Sequence, residues 1–312
     1  MNVFPYDSRI DFLKLRNVAL AISVFLLIGA CVLLGTRGLN YALDFTGGTV
    51  AELTFEKPAD LDQLRDTLES EGYPNAVVQA FGSEMDVMVR LQPREDQQNI
   101  TQTGDAILAA LNSAENPAKL VRSDFVGPQV GKELAQNGIL AAVFVLLGFV
   151  IYISMRFEWK FAVAAIITTA FDLIVTTGLF ALTQREFDLT VMAGVMSVMG
   201  YSINDTIVVF DRVRENFKTL HKLNAVEILN RSVNQTLSRT VITSVVALLT
   251  VLALYLYGGD SLKGMAESQM FGIVIGTLSS IFVACPLLYL LGTNKEDLMP
   301  KIRDDAELAR RP

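Results

Sequence analysis

Hydrophobic and polar positions alternate along this chain in two regimes. Six apolar runs, at 18–34, 139–155, 161–182, 189–210, 241–257 and 270–291, approach or exceed the length that carries a helix across a bilayer. They predict membrane helices over 17–35, 137–155, 160–182, 189–211, 238–257 and 268–292. The first run is preceded by a mixed segment and followed by Leu-Gly-Thr-Arg without a small-x-small cleavage site, so it reads as a retained helix and not a cleaved leader. Between the first two runs the period shortens. Residues 50–55 alternate as a strand, and Asp60 with Gln63 forms a capping-box pattern opening an amphipathic helix that ends at Gly72. Residues 77–81 and 85–91 read as strands joined by a tight Gly-Ser-Glu turn. A second helix over 95–111 should bury Ile100, Ile107, Leu108 and Leu111, and 120–126 should be the last strand. The order β-α-β-β-α-β is the ferredoxin-like arrangement. The fold class expected is therefore a polytopic α-helical membrane protein with a small α+β domain inserted between its first and second spans.

Charge orients this arrangement. Lys and Arg cluster in 1–16 (Arg9, Lys14, Arg16), in the loop after the second run (Arg156, Lys160), in 212–237 and in the tail 293–312, whereas the alternate short loops hold only Arg185 and Lys263. By the positive-inside rule both termini face the cytoplasm, and 36–136 lies outside. That outer stretch carries sixteen acids against eight bases and so holds the net charge of −7. An acidic surface of this kind argues against nucleic acid as a partner. Half the residues are hydrophobic and the mean hydropathy is +0.39, which makes membrane lipid the surroundings of the rest. Cys31 and Cys285 both fall in apolar runs, so no disulfide framework holds the outer domain. One histidine, His221, and no cysteine cluster leave no set of metal ligands.

The chemistry lies in the fourth run. Ser197, Tyr201, Asn204 and Asp205 follow one another at steps of four, three and one, which places them near one helical stripe that must face other helices or water. A carboxylate in hydrocarbon costs about 2.5–3.5 kcal/mol on insertion scales, so Asp205 is a candidate functional group. It stands about 9 Å of helix from Asp211, at a depth compatible with Arg239 at the start of the fifth span. Pairing with Arg239 would favour the carboxylate, whereas desolvation would favour the acid, and a site balanced between them can load and release a proton. The alternative is a static salt bridge that holds two helices in register. Asp172 is a second buried acid, with Thr168, Thr169 and Thr176 at helical spacing, and Thr176 with Ser197 offers polar support. Asp172 reads equally well as a hydroxyl-satisfied carboxyl without a role in transport. Gly272 and Gly276 form a small-xxx-small element for close packing, and Pro286 should kink the sixth helix. Asp211, Arg212, Arg214 and Glu215 continue the fourth helix into the cytoplasm as a solvated amphipathic face.

No phosphate-binding Gly-Lys-Ser/Thr loop, nucleophile elbow or paired histidine motif occurs, so no enzyme activity and no cofactor are expected. The remaining energy source is the ion gradient: one charge moved through about 100 mV releases about 2.3 kcal/mol. Two readings stay open on these grounds: a proton- or ion-driven membrane protein, half of a small-molecule/proton antiporter among them, and a non-energised scaffold.

Four ordered motifs narrow the choice. Residues 43–49 (Leu-Asp-Phe-Thr-Gly-Gly-Thr) follow the first run, and 126–134 (Val-Gly-Pro-Gln-Val-Gly-Lys-Glu-Leu) lead into the second. Residues 200–206 (Gly-Tyr-Ser-Ile-Asn-Asp-Thr), continuing to 211–216 (Asp-Arg-Val-Arg-Glu-Asn), end the fourth, and 238–244 (Ser-Arg-Thr-Val-Ile-Thr-Ser) open the fifth. Over about 11–291 the chain closely resembles the SecD/SecF family of bacterial protein-export membrane proteins, within the RND superfamily. The resemblance implies one six-helix half of a pair whose other half is SecD, located in the bacterial inner membrane. It implies use of the proton-motive force to help unfolded preprotein leave the SecYEG channel, with YajC and YidC as further partners. It places the proton-linked residues at Asp205 and Arg239, with Asn204 beside them. Asp44, Gly47 and Gly48, together with Gly127, Pro128 and Gly131, then stand as structural junctions between membrane and outer domain, where glycine permits unusual backbone angles.

Overall fold

The computed structural model describes residues 10–73, 76–81, 83–91, 100–113, 116–220 and 222–294. In chain order its elements are a 3₁₀ turn (Phe12–Leu15), α1 (Arg16–Thr36), β1 (Asn40–Tyr41), α2 (Leu43–Thr46), β2 (Gly48–Phe55) and α3 (Leu61–Ser70). There follow β3 (Val77–Phe81), β4 (Ser83–Leu91), α4 (Ile100–Leu111), β5 (Ala118–Val126), α5 (Pro128–Arg156), α6 (Trp159–Thr183) and β6 (Glu186–Phe187). The chain ends in α7 (Leu189–Thr219), α8 (Ala225–Tyr257), α9 (Asp260–Ser279), a π turn (Ser280–Ala284) and α10 (Cys285–Leu290). By contact the chain forms two units: a helical one, and a smaller one of 41–141 with 186–189.

In the helical unit, six helices among the described residues are long and apolar enough to cross a membrane. Three form its interior: the apolar windows of α6, α7 and the α9–α10 span are 56% buried, against 6%, 11% and 17% for α1, α5 and α8. The interior helices are also the ones that carry the buried acids, which keeps those groups off the lipid-facing helices. At one end of the bundle Phe157, Phe161 and Phe210 pack edge-on and stacked, with Phe161 and Phe210 centroids 5.4 Å apart.

The fourth helix continues past its apolar run, as expected for residues 211–215: α7 reaches Thr219, where Val213 and Phe217 are buried in one apolar cluster with Ile228 and Leu229 of α8. An Asn224–Glu227 capping box starts α8, each residue satisfying the other's backbone N–H at 2.9 Å. Asp211 and Arg214 are not simply solvated: Asp211 pairs with Arg156 at 2.9 Å, and Arg214 with Glu158 at 2.8 Å, tying the α5–α6 loop to α7. Arg212 and Glu215 pair within the helix. The residues before α1 are held as well. Asn234 bonds both the N–H and the carbonyl of Ile10, and Asn230 accepts from Leu13.

The sixth span changes its helical form just before Pro286, the residue expected to kink it. Pro286 has no N–H and its ring crowds the preceding turn, so the chain widens into the π turn just before it. The hydrophilic first turns of α9, with Lys263 and Glu267, extend this span well upstream of the apolar run.

The smaller unit has the expected β-α-β-β-α-β order. Its four-stranded sheet is ordered β3-β4-β2-β5, with antiparallel pairing throughout, including Leu53 opposite Val87 and Val50 opposite Asp124. A register shift between Glu52 and Leu53 bends the central strand where it meets β5. Leu68 of α3 and Ile107 and Leu111 of α4 bury against Ala51, Leu53, Phe55, Val78, Val87 and Val89 on one face of the sheet. Leu108 is partly buried there, while the start of the expected second helix, 95–99, and Gly82 of the turn lie outside the described residues. Only half of the capping box at α3 forms. Asp60 accepts from the N–H groups of Asp62 and Gln63 at 3.0 and 3.3 Å, without a return bond from Gln63. Asp60→Ala should therefore cost this unit about 1 kcal/mol, read as faster hydrogen exchange across α3, with the helical unit unaffected.

Candidate proton-handling site

The site is built where α6, α7, α8 and the end of α9 meet. Asp205, on α7, is 6% exposed, and its carboxylate is gripped from two other helices. Thr240 of α8 donates to Oδ1 at 2.7 Å, and Ser280, the first residue of the π turn, donates to Oδ2 at 2.6 Å. Asp172, on α6, is fully buried. Its Oδ2 accepts from Ser202, one turn before Asp205 on α7, by a short bond, and from Ser279 of α9 at 2.9 Å. The adjacent serines 279 and 280 thus serve two acids on two different helices. Beside them a chain of hydroxyls runs from Tyr201 to Ser244 and on to Thr277, each link 2.7 Å.

Backbone packing makes these reaches possible. A Cβ on Gly272 would fall 2.3 Å from Val198 Cγ2, and one on Gly276 3.1 Å from Ser202 Cβ. The small-xxx-small face of α9 therefore lies directly on the α7 turn that carries Ser202, close enough for short side chains to span the gap. Gly272→Val should separate the two helices, lowering thermal stability by about 1–3 kcal/mol. The same variant should weaken proton coupling, although it touches neither acid.

Several expected site residues are placed differently. Arg239 is exposed, and no ion pair within 4.0 Å joins it to Asp205 among the described residues. Arg239 acts on Asp205 through its charge from a distance, and the direct contact from α8 is a hydroxyl. Successive residues on α8 point about 100° apart, and it is Thr240, 1% exposed, that faces inward. Asn204 and Ser197 are exposed and make no hydrogen bond among the described residues, so of the expected α7 stripe only Tyr201 and Asp205 enter the buried network. Of the buried polar side chains of α7, namely Ser202, Asp205, Thr206 and Asn216, Ser202 and Asp205 take part in these contacts. Asp172 does not draw its donors from its own helix. Thr168 bonds back to the Ala164 carbonyl at 2.8 Å, while the buried hydroxyls of Thr169 and Thr176 have no hydrogen-bond partner among the described residues.

The junction residues converge within the smaller unit. Gly47 (φ 66°, ψ 176°) and Gly48 (φ 117°) adopt positive-φ backbone angles, and a Cβ on Gly131 would stand 2.9 Å from the Gly47 nitrogen. Asp44 Oδ2 accepts from the N–H of Leu189 at 3.1 Å and so caps the start of α7. Pro128 occupies the first position of α5, where its missing N–H costs nothing. Gly127 has no such need: the nearest atom to its Cβ would be Phe125 Cε1, at 3.9 Å. Among the described residues no group of three metal-ligating side chains forms.

Sequence comparison matches the SecD/SecF C-terminal model of protein export membrane proteins at residues 106–294 and the SecD/SecF GG motif at 32–59, which includes Gly47 and Gly48. The protein translocase subunit SecF of Pseudomonas aeruginosa is 47% identical over 295 residues, covering 94% of this chain and 95% of the relative. The corresponding subunit of Vibrio alginolyticus is 45% identical over 298 residues, covering 96% and 95%. Among solved structures, SecDF from Thermus thermophilus, described as a translocon-associated membrane protein, superposes with a TM-score of 0.82 at 36% identity. That match covers 93% of this chain and 40% of the longer SecDF chain. A family model over more than half of the sequence, near-full-length relatives and a shared six-span architecture agree: this multi-pass membrane chain belongs to the SecD/SecF family of protein-export membrane proteins, on its SecF side.

Proposed function

We propose that this chain is an accessory subunit of the Sec translocase that works with SecD in the bacterial inner membrane. Both termini face the cytoplasm, and the α+β domain projects into the periplasm, as the Lys and Arg distribution favours. The proton-motive force, with no cofactor, is the energy source for late steps in which unfolded preprotein leaves SecYEG, and YajC and YidC are further contacts. The names of the relatives and the 40% coverage of a longer SecDF chain support a two-part assembly in which this chain is one half. The observation that carries the energised reading is Asp205, an acid 6% exposed in an interior span and bonded only to hydroxyls among the described residues. A carboxyl so placed changes its interaction with two other spans when it gains or loses a proton, because a protonated acid donates where the carboxylate only accepts.

The decisive experiment is proton flux through the reconstituted complex in the presence of an unfolded polypeptide, wild type against Asp205→Asn. Flux that requires the polypeptide and vanishes in the variant is expected. Equal flux in both would refute the proposal.

A further inference from the structure

The second acid of the interior is more deeply buried than the first. Asp172 is fully buried, its Oδ2 takes the hydroxyls of Ser202 and Ser279, and its Oδ1 has no partner among the described residues. The two serines that reach the acids from α9 have a further property in common. Ser279 Oγ lies 2.9 Å from Asp172 Oδ2 and 3.1 Å from the Gly276 carbonyl. Ser280 Oγ lies 2.6 Å from Asp205 Oδ2 and 3.0 Å from the Thr277 carbonyl.

A hydroxyl has one proton to give and two lone pairs with which to accept. Beside an ionised carboxylate each serine donates to the carboxylate. Beside a protonated acid the roles reverse: the acid O–H donates to the serine oxygen, and the serine proton turns to the carbonyl one turn back. Neither protonation state leaves a buried donor unmatched, so loading a proton needs only hydroxyl rotation. Back-bonding to a carbonyl is ordinary for a helical serine. Two such hydroxyls on consecutive residues, each facing an acid on a different helix, are not.

We propose that Asp172 is a second proton-binding carboxyl, coupled to Asp205 through Ser279 and Ser280. The inference rests on the reading of Asp205 as proton-linked and adds a partner to it. The elements around Asp172 offer little else that titrates. On α1 stand Arg16, over the Tyr289 ring of α10, and the exposed Cys31. On α9 stand Lys263 and Glu267, the latter paired with Arg185. Cys285 opens α10, and the charges of α7 other than Asp205 begin at Asp211. Among these groups only Asp205 shares the serine pair with Asp172.

Infrared pH-difference spectra of the complex in lipid nanodiscs read protonated carboxyls directly and need no reagent to reach them. Two buried carboxyl bands that titrate are expected in the wild type. Asp205→Asn should leave one, with its midpoint displaced by about one pH unit, as for interacting sites. Asp172→Asn should remove that band and displace the other by a similar amount. Ser279→Ala keeps both acids and should shrink the displacement. Absence of a titrating band in Asp205→Asn overturns the inference, and does so even if Asp172→Asn fails to assemble. An unmoved midpoint in every variant also overturns it, since the acids would then act separately. The wider functional reading fails by a different result, namely unchanged proton flux in Asp205→Asn.

Discussion

Asp205→Asn should leave the chain folded and assembled while reducing gradient-driven stimulation of export to the level seen without a gradient. Asparagine matches aspartate in shape, and its Oδ1 still accepts the Thr240 hydroxyl that lies 2.7 Å from the wild-type oxygen. Its amide then faces Ser280, whose own proton can turn to the Thr277 carbonyl 3.0 Å away. The network stays satisfied, so the cost in thermal stability should stay within about 1 kcal/mol. What disappears is the exchangeable proton. One charge moved through about 100 mV is worth about 2.3 kcal/mol, roughly fifty-fold in a two-state equilibrium, and that is the size of bias the variant forfeits. Thermal unfolding and proton flux measured on the same preparation separate this outcome from a clamp. A scaffold in which Asp205 only fixes helices predicts lost stability with nothing to uncouple.

Much of the architecture was legible because the spans obey a single physical rule. Unpaired backbone cannot sit in hydrocarbon, so each apolar run had to be a helix, and the expected 161–182 falls within α6 at 159–183. Departures arise where the rule stops applying. The continuation of α7 beyond Phe210 was legible as far as Glu215, but the burial of Val213 and Phe217 in a cluster with α8 was not, because no local window contains that surface. In the smaller unit the strand at 77–81 was readable to the residue, since its flanking breaks are local. Its neighbour β4 began two residues earlier than expected, at Ser83, whose hydroxyl bonds Asp86 of the same strand.

The candidate site was half legible. Asp205 and Asp172 stood out because an acid in an apolar run is expensive wherever its partners are. Their partners did not, because serine and threonine are common in membrane helices and usually bond their own backbone, as Thr168 and Thr177 do here. Nothing in a single sequence distinguishes those from Ser279 and Ser280, which reach across to other helices. The preference for Arg239 as partner followed charge alone. The geometry of α8 turns Thr240 inward to bond the carboxylate, while Arg239 reaches Asp205 through its charge and not through an ion pair within 4.0 Å. Asp44 shows the same limit: that it caps a helix beginning 145 residues later, at Leu189, is written in no local pattern.

Gly47→Ala and Gly131→Ala should each damage the junction strongly, and for two different reasons that converge on one contact. Gly47 combines φ 66° with ψ 176°, a region of backbone space that is nearly closed to side-chain-bearing residues, so a methyl there costs about 1–3 kcal/mol. Gly131 has ordinary angles but no room. Its Cβ would lie 2.9 Å from the nitrogen and 3.2 Å from the Cα of Gly47, and main chain cannot swing aside as a side chain does. Because both changes displace the same turn, the double variant should lose less than the sum of the two. The damage should spread to Asp44, which sits in that turn and holds the Leu189 N–H at 3.1 Å. Asp44→Ala alone should cost about 1 kcal/mol through the lost cap. Hydrogen exchange at the first amides of α7 reports this directly: all three substitutions should speed it. Gly127→Ala should leave exchange and thermal stability unchanged, because its nearest neighbour would be 3.9 Å away at a Phe125 ring carbon. If Gly127→Ala proved as harmful as Gly47→Ala, backbone angle and close approach would not be what holds this junction. The motif's glycines would then have to be explained by something outside the chain.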